Sequence, residues 1–138
     1  MAEFIDMPSG DLTTSGADVI VCPVNCIPGV MGKGLAKTFA DRWPILRTIH
    51  RDHCMGGHIC PGGGSMTLLW EQTAVWFFPT KRHWRDKSYI EDVKSGVLAL
   101  AHHLDHTPWR YGPNRVVAIP ALGCGLGGLS WDVVRPII

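Results

Sequence analysis

Two glycine-rich loops carry the chemistry most legible in this chain. Gly29-Val30-Met31-Gly32-Lys33-Gly34 follows the apolar run Val19-Ile20-Val21-Cys22-Pro23-Val24, and Gly123-Cys124-Gly125-Leu126-Gly127-Gly128 follows Val116-Val117-Ala118-Ile119-Pro120. Glycine lets a backbone approach a ligand closely. Backbone N–H groups exposed at a strand end, ahead of a helix, form an anion site. Two such loops could clasp a diphosphate from both sides, which points to a nucleotide ligand. No GxGxxG opens the first helical segment and no acidic ribose ligand follows at the expected distance, which argues against a Rossmann-type site.

Between the loops, Lys81-Arg82-His83-Trp84-Arg85-Asp86-Lys87 interleaves cations with an aromatic ring. Such a strip can hold a single-stranded backbone and stack a base; the alternative is a solvated basic loop. His50, His53, Cys54, His58 and Cys60 are a dense set of donors, but their spacing matches no standard zinc pattern, and no metal is expected. His102 and His103 are expected to be structural or exposed.

Composition bounds the function. A chain of 138 residues, 46% hydrophobic and 18% charged, is read as one globular domain with its own core. A net charge of +1 supplies no whole-molecule field for nucleic acid or membrane, so any nucleic-acid contact must come from a local patch. The five cysteines are odd in number and contain no CxxC, which predicts free thiols in a reducing cytoplasm. Met1–Asp6 lacks the pattern of a signal peptide, and no apolar run is long enough to span a membrane.

The elements that must position these residues alternate. Phe4–Met7 is expected as a short strand and Ser9-Gly10-Asp11 as a turn. Ala17–Val24 is expected as a strand buried on both faces. From Gly34 the spacing of Leu35, Phe39, Arg42 and Trp43 is helical, and Pro44 marks a break or a new helix start. Residues 54–64 read as loop. Met66–Trp70 and Ala74–Phe78 are candidate strands. Ser88-Tyr89-Ile90-Glu91 reads as a capping box, opening a helix with Ile90, Val93, Val97, Leu98, Ala101 and Leu104 on one face. Asp105–Asn114 reads as loop, Val116–Ile119 as a strand, and Ser130 as the N-cap of a helix through Val133 and Val134. The alternation predicts an α/β fold with a largely parallel sheet flanked by helices. Both glycine loops fall at strand carboxyl ends, where such sheets bind ligands.

Four stretches, in order, resemble the macrodomain family, the ADP-ribose-binding α/β/α module, and within it the DarG branch. They are Ser9-Gly10-Asp11-Leu12; Pro23-Val24-Asn25 with Val30–Ala36; Phe78-Pro79-Thr80-Lys81-Arg82-His83-Trp84-Arg85 with Lys87-Ser88 and Glu91-Asp92; and Pro120–Trp131. Together they span nearly the whole chain. Departures accompany them. Four residues, Cys26–Gly29, separate Asn25 from Val30, one more than the family spacing. Phe77 stands where the branch has asparagine, and Gly127 where a related glycohydrolase branch has a catalytic aspartate. The terminal strand of a typical macrodomain is expected to be missing.

The resemblance implies a three-layer α/β/α macrodomain over residues 1–138, with a central mixed, largely parallel sheet. It implies an ADP-ribosyl glycohydrolase that frees thymidine in single-stranded DNA from ADP-ribose. Its partner would be a DarT-type toxin, with no cofactor, no metal and no membrane. The alternatives are a reader that binds ADP-ribose without turnover and a hydrolase of protein-linked or O-acetyl ADP-ribose. Asp11 would accept from the adenine amino group, with Leu12 beside it, although a turn aspartate is the plainer reading of Asp11. Asn25 would orient the distal ribose or linked base; the alternative is a turn asparagine satisfying its own backbone. Met31, Gly32, Lys33 and Gly34 would wrap the diphosphate and distal ribose. Thr80, Pro120, Leu122, Gly123, Cys124, Gly125, Leu126 and Gly127 would complete the pocket, with Cys124 packing rather than acting as a nucleophile. Arg82, His83, Trp84 and Arg85 would contact DNA.

Lys81, aided by Asn25, would be catalytic. A free lysine with pKa ~10.4 is a poor nucleophile at neutral pH. Desolvation or neighbouring positive charge lowers that value. The neutral amine could then attack the anomeric carbon of the distal ribose or assist ring opening. The alternative is a surface lysine paired with phosphate.

Overall fold

Strand β1 (Val19–Asn25) and strand β3 (Ala74–Lys81) are the two strands on which the rest of the fold is laid. The computed structural model describes residues 12–69, 73–106, 115–124 and 127–138. Around β1 and β3 stand β2 (Ser65–Leu68) and β4 (Val117–Ala118), in the order β2-β3-β1-β4. β1 runs parallel to both β3 and β4, whereas β2 is antiparallel to β3, so the sheet is mixed. The helices are α1 (Gly34–Arg42), α2 (Ile45–Met55), α3 (Ile90–Asp105) and the short α4 (Trp131–Val134). Leu12–Thr14 and Arg135–Ile137 are 3-10 turns.

The period of two along a strand sorts the core into two layers. Ile20, Cys22 and Val24 of β1 and Val75 and Phe77 of β3 pack against Phe39, Ala40, Trp43 and Leu46 of α1 and its successor. Val19, Val21, Ala74, Trp76 and Phe78 pack on the opposite face, against Val93, Leu100 and Leu104 of α3 and Val134 of α4. This is the three-layer α/β/α arrangement expected from the near-continuous apolar runs.

Pro44 separates α1 from α2 as a new start, because its fixed φ suits the entry of a helix. α2 continues to Met55, two residues into the stretch expected as loop. β1 and β3 also end later than expected, and β2 is shorter. The expected strand Phe4–Met7, the turn at Ser9–Asp11, Trp70 and most of Asp105–Asn114 lie outside the described residues; Asp105 closes α3.

Two expectations for α3 are corrected. The helix enters from Tyr89, with no side-chain cap, and Ser88 is not its capping residue. Ser88 is drawn elsewhere: its N–H donates to the Gly127 carbonyl at 2.9 Å, and its buried hydroxyl has no partner among the described residues. The buried face is Val93, Gly96, Leu100 and Leu104, while Leu98 and Ala101 face solvent. Gly96, invisible to a search for apolar side chains, is the reason. A Cβ there would stand 2.5 Å from Cζ of the Phe78 ring, so the missing side chain is what lets α3 lie on β3. Ser130 does precede α4, again with no side-chain cap hydrogen bond.

Gly96→Ala is therefore expected to destabilise. Overpacking against a buried ring costs about 1–3 kcal/mol, more than the roughly 1 kcal/mol that alanine gains in a helix. Thermal or urea unfolding should give a lower midpoint than the wild type; an unchanged or raised midpoint would contradict the tight α3–β3 contact.

Candidate functional site

Parallel pairing of β1 and β3 brings their carboxyl ends together. The register runs from Val19 opposite Ala74 to Val24 opposite Pro79, then slips, so that Asn25 stands opposite Lys81 and Thr80 is passed over. Above these ends opens a cleft of about 740 Å³, a volume in the range of small-molecule sites. One wall is the first glycine loop, from Val30 to Ala36; the other is Thr80, Lys81, Trp84 and Arg85; Pro120, Ala121, Gly123 and Gly127 close it from the side of β4. The two glycine loops thus face one cavity, as their positions after strands require.

Most of the expected residues converge there: Asn25, Met31, Gly32, Lys33, Gly34, Thr80, Lys81, Pro120, Gly123 and Gly127, with Trp84 and Arg85 from the basic strip. Others do not line it. Leu122 is buried in the second core layer, and Cys124 packs partly buried against that layer. Cys124 Sγ contacts the Leu122 carbonyl at 3.6 Å, and burial pushes its thiol pKa up. Leu12 sits in a 3-10 turn against the first core layer. Asp11, Gly125 and Leu126 lie outside the described residues.

Asn25 behaves as a turn asparagine and also lines the cleft. Its Oδ1 accepts from the Ile27 N–H at 2.9 Å, and its Nδ2 donates to the Val30 carbonyl at 3.1 Å. An amide has two donors and two acceptor lone pairs, so one of each remains. Lys81 Nζ makes one long contact, 3.5 Å, to the Trp84 carbonyl. Its pKa is lowered, first by partial desolvation and then by the positive charges of Lys87 and Lys33, against a smaller opposing pull from Asp86. The surroundings thus favour the neutral amine that nucleophilic work needs.

The basic strip divides. Arg82 is turned to the protein: Nε and Nη2 donate to the two oxygens of buried Asp92 at 3.0 and 3.2 Å, and the guanidinium lies 4.3 Å from the centroid of the Tyr89 ring. A bidentate pair with a stacked ring is a strong geometric demand for arginine, and it removes Arg82 from the cleft. The other three form a layered rim. His83 stacks on Trp84 with centroids 5.2 Å apart, and the Arg85 guanidinium lies 4.6 Å from the Trp84 ring. His83 Nδ1 also accepts from the Arg85 N–H.

The histidine and cysteine cluster resolves into separate contacts. Among the described residues no group of three or more His, Cys, Asp or Glu is placed to hold a metal ion. His53 pairs with the Ser65 hydroxyl at 2.7 Å, and burial raises Cys26 and Cys54 to about 11. His50 is fully buried against the first loop and lies 5.7 Å from the Phe77 ring. Sequence reasoning treated His50 as one donor among five. Its helical offset from Leu46, Ile49 and His53, on the side of α2 that meets the sheet, was the available signal.

No protein-family model matches the chain. It is 34% identical over 130 residues to the DNA ADP-ribosyl glycohydrolase of Mycobacterium tuberculosis, an alignment covering 92% of this chain and 35% of that protein. It is 29% identical, over an alignment of 156 positions covering 100% of the chain and 39% of the relative, to the DNA ADP-ribosyl transferase–DNA ADP-ribosyl glycohydrolase fusion protein of Thermosipho africanus. The chain thus spans little more than a third of the length of these curated relatives. The solved macrodomain of Mycobacterium tuberculosis DarG is similar at a TM-score of 0.84 and 31% identity, over 98% of this chain and 87% of that one. Thermosipho africanus DarTG in complex with ADP-ribose is similar at a TM-score of 0.80 and 32% identity, over 93% of this chain and 35% of that one.

The glycines of the cleft are not alike, and substitution should separate them. A Cβ at Gly127 would overlap Ser88 Oγ and stand 2.5 Å from the Gly123 carbonyl oxygen, whereas one at Gly32 meets nothing within 4 Å. Gly127→Ala is expected to lose about 1–3 kcal/mol of stability, and Gly32→Ala to stay within about 0.5 kcal/mol of wild type. Equal melting temperatures for the two variants would refute the close seating of the second loop.

Proposed function

Because the chain belongs to the DarG family of macrodomains, we propose that it binds ADP-ribose in the cleft and removes it from thymidine in single-stranded DNA, as the antitoxin to a DarT-type toxin. The observation that carries this reading is the placement of Lys81 opposite Asn25 at the mouth of the cleft, with surroundings that favour its neutral form. Five free cysteines suit a reducing, cytoplasmic setting, and no helix among the described residues is long and apolar enough to cross a membrane.

The two glycine loops hold the diphosphate through backbone N–H groups. Asn25, with one donor and one acceptor still free, orients the distal ribose. Neutral Lys81 Nζ attacks the anomeric carbon. The bond from that carbon to the thymine nitrogen breaks, and its electron pair leaves with the base. The proton lost by the newly bonded lysine nitrogen balances the one gained by thymine. Water then adds at the same carbon and returns the lysine, giving ADP-ribose and unmodified DNA. The layered rim of His83, Trp84 and Arg85 offers stacking and positive charge to the flanking strand. Arg82, held by Asp92, anchors the segment that carries the rim.

The central test is release of ADP-ribose from a thymidine-modified single-stranded oligonucleotide, wild type beside Lys81→Ala and Lys81→Arg. Turnover is expected to fall at least ~10²-fold in both variants, because a guanidinium stays charged and cannot replace the amine, with ADP-ribose binding retained. The wild-type rate should climb with pH and level off below the ordinary lysine value of ~10.4, since the lowered pKa frees the amine earlier. Binding without release by the wild type would leave a reader; release only from modified protein or O-acetyl-ADP-ribose would move the substrate away from DNA.

Trp84→Ala tests the rim separately. Loss of stacking is expected to raise the KM for the modified oligonucleotide by an amount equivalent to ~1–3 kcal/mol, with a smaller change in affinity for free ADP-ribose. An unchanged KM in steady-state kinetics would remove the rim from DNA recognition.

A further inference from the structure

His50 lies on α2, beneath the turn that leads from β1 into the first glycine loop, and both its ring nitrogens are in use. Nδ1 accepts from the Gly29 N–H at 3.0 Å, and Nε2 stands 2.9 Å from the Asn25 carbonyl oxygen. A carbonyl only accepts, so Nε2 carries the proton and Nδ1 is bare. One neutral tautomer satisfies both bonds; the other tautomer and the imidazolium each set two donors against one another at Gly29. Within the turn, Asn25 adds its own side-chain bonds to Ile27 and Val30. Gly29, with φ +76, lies close to α2: a Cβ there would be 3.6 Å from Arg51 Cβ. Cys26–Gly29 is thus closed from inside by Asn25 and tied from outside by His50, and the chain leaves it directly into the cleft wall at Val30–Gly34.

We propose that His50 is a positioning residue for the ligand site: its Nε2–H tautomer ties the Cys26–Gly29 turn to α2 and thereby sets how Val30–Gly34 meets the diphosphate and distal ribose. The inference rests on the ADP-ribose reading of the cleft. It also gives the site an acid limit. His53 and Cys54 flank the ring on α2, with Cys54 Sγ 3.5 Å from Nε2. Arg47 and Arg51 lie on the same helix, the Phe77 ring covers it from β3, and the turn presents the Asn25 carbonyl and the Gly29 N–H. The one carboxylate on α2, Asp52, is exposed and pairs with Arg51 at 3.2 Å rather than with the ring. Burial, and secondarily His53, lower the His50 pKa from 6.5, against an opposing pull from the Asn25 carbonyl. The tie is therefore fully present above the ordinary histidine value and is lost as pH falls through the lowered one.

The test compares wild type with His50→Leu, His50→Asn and His50→Gln by calorimetric titration of ADP-ribose and by amide exchange at Gly29. Leucine keeps the bulk and loses both bonds; asparagine can restore the acceptor to Gly29; glutamine can restore the donor to Asn25. His50→Leu is expected to weaken ADP-ribose binding roughly tenfold or more and to expose the Gly29 amide to exchange. His50→Asn should recover protection at Gly29 and most of the affinity, with His50→Gln recovering less. Leu100→Ala, in the opposite core layer, controls for stability: it should lower the melting temperature with the Kd unchanged. A folded His50→Leu whose Kd lies within about twofold of wild type, or whose Gly29 amide stays protected, overturns the proposal, as does equal loss of affinity in Leu100→Ala. Should His50→Leu not fold, the wild type decides: the Kd must rise as pH falls below the ordinary histidine value of about 6.5, and a profile that stays flat down to the onset of acid unfolding overturns the proposal. Absence of ADP-ribose binding by the wild type would sink the functional reading itself, and Gly29 exchange, which needs no ligand, still decides whether His50 holds the turn.

Discussion

The parallel hydrogen bonding between β1 and β3 is the constraint on which the molecule depends. Neither strand has a face to offer solvent, because each alternate side chain enters one of two core layers. Both layers of helices are therefore required, and the crossovers that lead to them start at the carboxyl ends of these two strands. The cleft is the space those crossovers leave. Asn25 and Lys81 meet there because of a register slip at the last residues of the ladder, not because either residue seeks the other. A local irregularity at a strand end is where pairing is weakest, and it is there that side chains can be re-aimed at little cost to the sheet.

What could be read without coordinates follows from this. Strands buried on both faces leave unbroken apolar runs, and glycine loops at their ends leave a composition that few other structures need. The placement of both glycine loops on one cavity was legible from topology, while Lys81 and Asn25 were placed there by the family resemblance and are brought opposite one another by the register slip. The failures share a different cause: each turns on a partner distant in sequence. Ser88 has the residue type of a helix cap, yet it seats beneath Gly127. Arg82 reads as one more cation of the basic strip, yet a buried carboxylate ten residues on pairs with it. Leu122 belongs to a glycine-rich string, yet its side chain faces inward, as the packing expected of Cys124 also does, while neighbouring backbone faces the cleft. The face of α3 was misjudged because Gly96 makes its contact through the lack of a side chain.

The two sides of the cleft are held by different means. The first loop is fixed by hydrogen bonds that require particular protonation and amide orientation, through His50 and Asn25. The second is fixed by contact: Gly123, at φ +74, and Gly127 leave no room for a Cβ against Leu129 and Ser88. Position 127 therefore cannot carry a carboxylate without moving its neighbours, and in the proposed reaction any acid or base that assists Lys81 comes from another source, such as substrate or water.

The segment from Lys81 to Ser88 is pinned at both ends, by Arg82 on Asp92 and by the Ser88 N–H on the Gly127 carbonyl. A wall assembled before its ligand arrives loses little entropy when the ligand binds. The same stiffness acts in the other direction. A wall pinned in this way would grip the product of the proposed cleavage much as it gripped the intact substrate. For the proposed hydrolase the burden of such a site falls on letting go, so that departure of ADP-ribose, rather than cleavage, becomes the natural place for turnover to slow.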